Sequence, residues 1–227
     1  MSRYNMFNQI HKGLRLLLYD TAAMLGRTDF DNPEQYMTVA KRVKDVMDMF
    51  DNHAHNEDNY VLPMIERYEP AVVDAFEQEH VTDHALGERL RNSIIALDLA
   101  VEYAVKNQPG VSLMHSFNGF MIFNLQHMHK EETVLNNILW KYFNDGELLE
   151  TNKKIVSSIP PQEINVASQW MIKALNDTEI ISWLRGVEKS APQPVFYSLL
   201  NTVENELEHS RYRKIREALG EEVVMAS

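Results

Sequence analysis

Two short segments of this chain each place an imidazole and a carboxylate four residues apart. In NHAHNEDNYVLP they are His53 and Glu57; in QHMHKEETVLN they are His127 and Glu131. Residues four apart share one face of an α-helix, so each pair can bind one metal ion, or one ion and its neighbour. His11, His80 and His84 extend the set to five imidazoles and two carboxylates. That donor set suits iron, manganese or zinc, and carboxylates able to bridge favour a two-ion centre. His55 and His129 lie two residues beyond a ligand, about 200° round a helix, and are expected at the surface or its boundary. Asp58 and Glu132 are expected in solvent, or at most steadying a ligand. His115 and His209 have no evident partner.

Bringing these residues together requires helices. Apolar residues recur at intervals of three and four over residues 3–26, which predicts a first helix. Asn32-Pro33 reads as an N-cap followed by proline at the first helical position, opening a second helix that runs to about Tyr68. Its inner face is Val43, Val46, Phe50, His53, Glu57, Val61 and Met64. After Glu69-Pro70 a third helix turns Val73, Phe76, His80, His84, Gly87, Leu90, Ile94, Leu97 and Val101 inward. Asn107-Gln108-Pro109-Gly110 is read as its end. A fourth helix, over 112–143, carries Phe117, Phe120 or Met121, Asn124, His127, Glu131 and Ile138 on its inner face. Four long amphipathic helices with short loops predict an all-α fold, an up-down-up-down four-helix bundle over residues 1–145. Three further helices are predicted at about 161–175, 178–188 and 194–219, a C-terminal helical extension over 146–227 that packs on the bundle.

Register supports the metal reading. In an antiparallel helical hairpin, residues at one height lie equally far from the turn. The midpoint of His11 and His53 is Asn32, in the first break. The midpoint between the His53/Glu57 and His80/His84 pairs falls beside Glu69-Pro70. That between His80/His84 and His127/Glu131 falls between Val105 and Lys106, close to Asn107–Gly110. All the groups therefore share one layer, although the turns were placed from helix breakers alone. Burying a lone histidine in a helical core is ordinary; burying five imidazoles and two carboxylates in one layer is costly unless a cation pairs them. The segments also look duplicated: His11 precedes His53 by 42 residues, and His84 precedes His127 by 43.

Composition narrows the alternatives. A formal net charge of −11 argues against a general binder of nucleic acid or anionic membrane, since such a surface repels phosphates. The absence of cysteine removes disulfides, thiolate zinc sites, iron–sulfur ligation and cysteine nucleophiles. No window approaches the ~18 apolar residues of a membrane span, and the N-terminus does not read as a signal peptide. A cytoplasmic location is the expectation.

His11, the segment HAHNEDNYVLP, the pair His80-Val-Thr-Asp-His84 and the segment HMHKEETVL together resemble the hemerythrin-like (HHE) cation-binding family over residues 1–145. The resemblance implies two iron ions, a non-haem diiron centre, inside a four-helix bundle. Glu57 and Glu131 would bridge the irons. His80, His84 and His127 would saturate one, and His11 and His53 would leave the other open to dioxygen, nitric oxide or peroxide. Oxygen-carrier members have an aspartate five residues after the second histidine, whereas Glu131 follows His127 by four. Bacterial relatives, including iron–sulfur repair proteins, share the glutamate spacing, but the cysteine-bearing N-terminal segment common in the repair proteins is missing here.

Gly87 and Asn124 each lie three residues from a ligand. Gly87 is expected to leave room beside the metals, because glycine inside a helix costs about 1 kcal/mol against alanine. Asn124 is expected either to hydrogen-bond a diatomic ligand or solvent at the metals, or to satisfy a neighbouring side chain. Two function classes follow. One is reversible binding of dioxygen or nitric oxide as sensor, store or carrier. The other is a diiron redox enzyme, peroxidase-like or donating iron for iron–sulfur repair, which would need an external reductant because no second redox cofactor motif is present. A ferritin-like arrangement built on Glu77–His80 and Glu206–His209 is a weaker alternative. It would leave His11, His53 and His127 without a role.

Overall fold

The structure, a computed structural model, describes residues 3–102 and 107–225, and every regular element among them is a helix. The chain runs through α1 (Asn8–Arg27), α2 (Pro33–Asn56), a π-helical turn (Glu57–Val61) and α3 (Leu62–Ile65). It continues through α4 (Pro70–Glu102), α5 (Asn107–Lys130), a second π-helical turn (Glu131–Leu135) and α6 (Asn136–Tyr142). The remaining helices are α7 (Asp145–Ser158), α8 (Pro161–Ala174), α9 (Asp177–Ser190), α10 (Gln193–Glu206) and α11 (His209–Met225).

By contact these form two compact units. One comprises residues 1–8 and 17–158, and the other residues 9–16 and 159–227. Helix α7 therefore groups with the first unit, past the boundary expected at residue 145.

In the first unit, Asn32 caps α2 by accepting from the amides of Glu34 and Gln35, with Pro33 at the first helical position as the sequence predicts. Side-chain pairs fix the directions of the long helices. Asp51–Arg91 and Asp58–His80 set α2 and the π turn after it antiparallel to α4, and His80–His127, Asp83–Asn124 and Ser93–Ser116 set α4 antiparallel to α5. The buried row of α4 is Val73, Phe76, His80, Asp83, Gly87, Leu90, Ile94 and Leu97, alternating steps of three and four. This is the period that keeps one stripe of a long helix facing its neighbours. Phe50 and Phe120 meet edge-on at 5.4 Å between ring centres. A second apolar cluster unites Phe7, Val61, Leu62, Ile65, Phe76, Leu135 and Leu139.

The expected break at Asn107–Gly110 is corrected: these residues form the first turn of α5, and the midpoint at Val105–Lys106 lies outside the described residues, as does the side chain of Val101. A proline in a first turn loses no helical hydrogen bond, because the amides there have no partner within the helix. Gly110 has a different reason to be glycine, since a Cβ there would lie 2.5 Å from the ring of Phe30.

The second unit has its own core, built on Ile172, Leu175, Ile180, Leu184, Leu199, Leu200, Val203 and Ile215. Asn176 and Glu179 form a capping box at the start of α9. The single helix expected over 194–219 is two, because Leu207 adopts extended backbone (φ −110°, ψ 153°) between α10 and α11. Helices α8 and α10 are alike: each has 14 residues, a proline N-cap and a leucine C-cap, Leu175 or Leu207. Within this unit, Gly13 lies so close to α8 that a Cβ would fall 3.0 Å from the backbone nitrogen of Met171.

Two glycines therefore predict opposite outcomes. Gly13→Ala forces backbone against backbone and is expected to destabilise by about 1–3 kcal/mol. Gly87→Ala meets only Arg91 Nη1, at 3.6 Å, and is expected to stabilise by about 1 kcal/mol through helix propensity. Thermal unfolding of the metal-free variants checks both signs.

Candidate metal centre

Four α-helices carry the histidines inward, and two π-helical turns carry the glutamates. His11 comes from α1, His53 from the last turn of α2, His80 from α4 and His127 from the last turn of α5. Each glutamate is the first residue of a π-helical turn. The amide of Leu62 reaches back to the carbonyl of Glu57, and that of Asn136 to Glu131, five residues in both cases. The wider turn changes the spacing of the buried row. Before each turn the inward residues alternate by three and four; from the glutamates on they step by four, as Glu57, Val61, Ile65 and Glu131, Leu135, Leu139, all buried. The two π turns stand at matching positions of the two segments, although His84, the expected counterpart of His11, joins neither group of ligand atoms. Such turns occur mostly where a side chain must be presented for function.

Two groups of ligand atoms result. The donors of His11, His53, Glu57 and Glu131 lie within 4.8 Å of one another, and so do those of Glu57, His80, His127 and Glu131. Both carboxylates belong to both groups. Glu57 Oε1 is 3.4 Å from His53 Nε2, and its Oε2 is 3.4 Å from His80 Nε2. His127 Nε2 lies 2.9 Å from Glu131 Oε1 and 3.1 Å from His80 Nε2. Both Glu57 oxygens are buried, and no donor reaches either in hydrogen-bonding geometry. Buried carboxylate oxygens in that condition are costly unless a cation meets them, and imidazole nitrogens converge on the same space. The residues present fit metal ions.

His84 is the exception among the expected ligands. It is exposed and belongs to neither group. The alternating row that buries His80 next buries Asp83, which is 5% exposed, so His84, one residue on, points outward. Asn124 is also buried, and its amide nitrogen donates to Asp83 Oδ1 at 2.5 Å and to the Phe120 carbonyl at 3.2 Å. Of the two roles open to Asn124, the structure shows it satisfying neighbours. Gly87 is the next buried residue of α4 after Asp83. His55, His115, His129 and His209 are exposed.

The far nitrogens of two ligand rings are held by carboxylates. His80 Nδ1 meets Asp58 Oδ1 at 2.6 Å, and His127 Nδ1 meets Glu79 Oε2 at 2.8 Å. Lys130 bonds the other oxygen of Glu79. These contacts fix ring orientation and leave each Nε2 directed inward. Asp58 was expected at most to steady a ligand; Glu79 was not singled out, since nothing in its local sequence marks it as facing a histidine one helix away. Phe123 stacks on the His127 ring at 6.0 Å, and Phe76 meets the ring edge-on at 5.7 Å.

In the metal-free state the site is electrostatically strained. Burial, followed by the charge of Glu131, pushes Glu57 well above the usual carboxylate range. Burial acts to lower His127, but Glu131 and Glu79 outweigh it and raise the imidazole to about 9. The signs agree. Both groups hold protons more tightly folded than unfolded, so their contribution to stability is lost as pH rises from the ordinary carboxylate range through about 9. Metal must displace those protons.

Three outcomes are expected. The metal-free protein loses thermal stability between about pH 6 and pH 9, Glu57→Gln flattens that slope, and the metal-loaded protein does not show it. Asp58→Asn and Glu79→Gln each weaken metal binding by about 10- to 100-fold, measured by competition with a chelator. His84→Ala leaves the metal content as in the unsubstituted chain, whereas His80→Ala lowers it.

A search of the curated proteins and of the solved structures found no match. The family described as hemerythrin HHE cation binding domain matches residues 2–139. That span takes in every residue of both ligand groups. On this match the chain belongs to the hemerythrin HHE cation-binding family.

Proposed function

We propose that the chain is a non-haem diiron protein that binds dioxygen or nitric oxide, as sensor, store or carrier. The observation that carries this reading is the sharing of Glu57 and Glu131 between two ligand groups, each completed by two imidazoles. Carboxylates common to both groups suit two adjacent ions with bridging oxygens better than two separate sites. Each ion would then take donors from four residues. With His84 turned outward, the ion on the His80 and His127 side also keeps room for a further ligand, so opening is not confined to the His11 and His53 side.

Iron in this position supplies a redox couple and an open coordination position for a small diatomic. The chain's part is to orient and enclose. Asp58 and Glu79 hold two of the imidazoles, Phe76 and Phe123 wall His127, and the buried aromatic and aliphatic layers exclude bulk water. A dry pocket favours reversible binding over turnover.

A second reading, a diiron redox enzyme served by an external reductant, is favoured by one observation. Asp83 is a buried carboxyl one helical turn from His80, and burial raises its proton affinity. Turnover of peroxide or oxygen needs protons, and Asp83 is placed to carry one.

Purification from iron-replete cells, with metal analysis and optical spectra before and after air and nitric oxide, separates these outcomes. Two irons per chain and a spectrum restored on removing the gas are expected for a binder. Catalytic consumption of peroxide with added reductant would favour the enzyme. A stably folded, metal-free protein would contradict both.

A further inference from the structure

We propose that the space left by Gly87 is the route by which a small ligand or solvent reaches the His80 and His127 side of the metal centre. The inference rests on the diiron reading and adds a route and its outer gate. Gly87 is buried in the middle of α4, yet neither of the usual reasons for a buried helical glycine applies to it. Its backbone is ordinary helix, and a Cβ there would meet only one atom within 4 Å, Arg91 Nη1 at 3.6 Å. Gly13 and Gly110, by contrast, are closed by a backbone at 3.0 Å and a ring at 2.5 Å. The missing side chain at Gly87 thus leaves space where the helix gains nothing in propensity.

The residues along this stretch of α4 lead from a partly exposed pair to the candidate metal centre. On the outer side Arg91, one turn along α4, donates to Asp51 Oδ2 at 2.7 Å and to Glu88 Oε1 at 3.2 Å, and both ends of the Arg91–Asp51 pair are about one-third exposed (34% and 38%). On the inner side lies Asp83, one turn back along α4, held by Asn124. One turn further along the same row is His80, opposite His127. The row therefore runs from a partly exposed ion pair, past a position without a side chain, to a carboxyl near two candidate ligand imidazoles. An ion pair this open to solvent contributes little to stability, so breaking it costs little, which suits a gate. Both donor hydrogens of the Asn124 amide are already engaged, so the polar group that an incoming ligand or water meets is the Asp83 carboxyl.

The test uses the full iron-loaded chain and azide as probe, followed by stopped-flow absorbance. Gly87→Leu is expected to retain two irons per chain and to slow azide association by about tenfold or more, equivalent to about 1.4 kcal/mol on the barrier to access. Arg91→Ala is expected to speed it. A second readout needs no loaded site: Gly87→Leu should also slow uptake of ferrous iron by the metal-free chain. Unchanged association in Gly87→Leu at full iron content would overturn the route. Should that variant fail to fold, an unchanged rate in Arg91→Ala overturns it alone. An unsubstituted chain that takes up no metal would instead remove the diiron reading, and this inference with it.

Discussion

The first unit is organised around the closeness of two buried carboxylates. Glu57 and Glu131 contribute ligand atoms within 4.8 Å of each other. At an effective dielectric near 20, two full charges at that distance repel by about 3–4 kcal/mol. A domain's whole stability is about 5–15 kcal/mol, so the repulsion is a substantial fraction of it. Protonation relieves the strain, as the upward shifts of Glu57 and His127 show. Cations would relieve it more completely, because they would satisfy both glutamates and the converging imidazoles at once. Binding that occurs only in the folded state stabilises that state by mass action, so metal and fold support each other.

The helices serve this constraint with a shared device. Both glutamates open a five-residue π turn, and both turns shift the buried row from alternating steps to steps of four. In a regular α-helix each step of four drifts about 40° round the axis, so a histidine, its glutamate and the apolar residues four and eight further on could not all share one stripe. One extra residue in each turn reconciles the two demands. The packing of Val61, Ile65, Leu135 and Leu139 into one cluster is the result.

Much of this was legible in the sequence. Asn32-Pro33 marks its helix start through capping chemistry, and the histidine–glutamate spacing marks both ligand pairs. A spacing of four from His80 points to His84, whereas the buried row on α4 continues by three to Asp83 and leaves His84 exposed. Counting from Val73 and Phe76 gives Asp83 directly. Asn107–Gly110 was read as a break because proline and glycine usually punctuate, yet a first turn tolerates proline, and Gly110 answers to Phe30 across space. The break at Leu207 has no glycine or proline to announce it, and α7 has Leu148 as its fully buried side chain, too little apolar pattern to read. Asp58 and Glu79 gain their roles from a partner on another element, which local pattern does not encode.

The central claim, two ions held by the same two carboxylates, is tested most directly by anomalous diffraction from crystals of the iron-loaded protein. The account predicts two iron peaks about 3.5–4 Å apart, one beside His11 and His53 and the other beside His80 and His127, with Glu57 and Glu131 reaching both. A single peak midway between the four imidazoles, or iron bound only at exposed acidic residues, would contradict it.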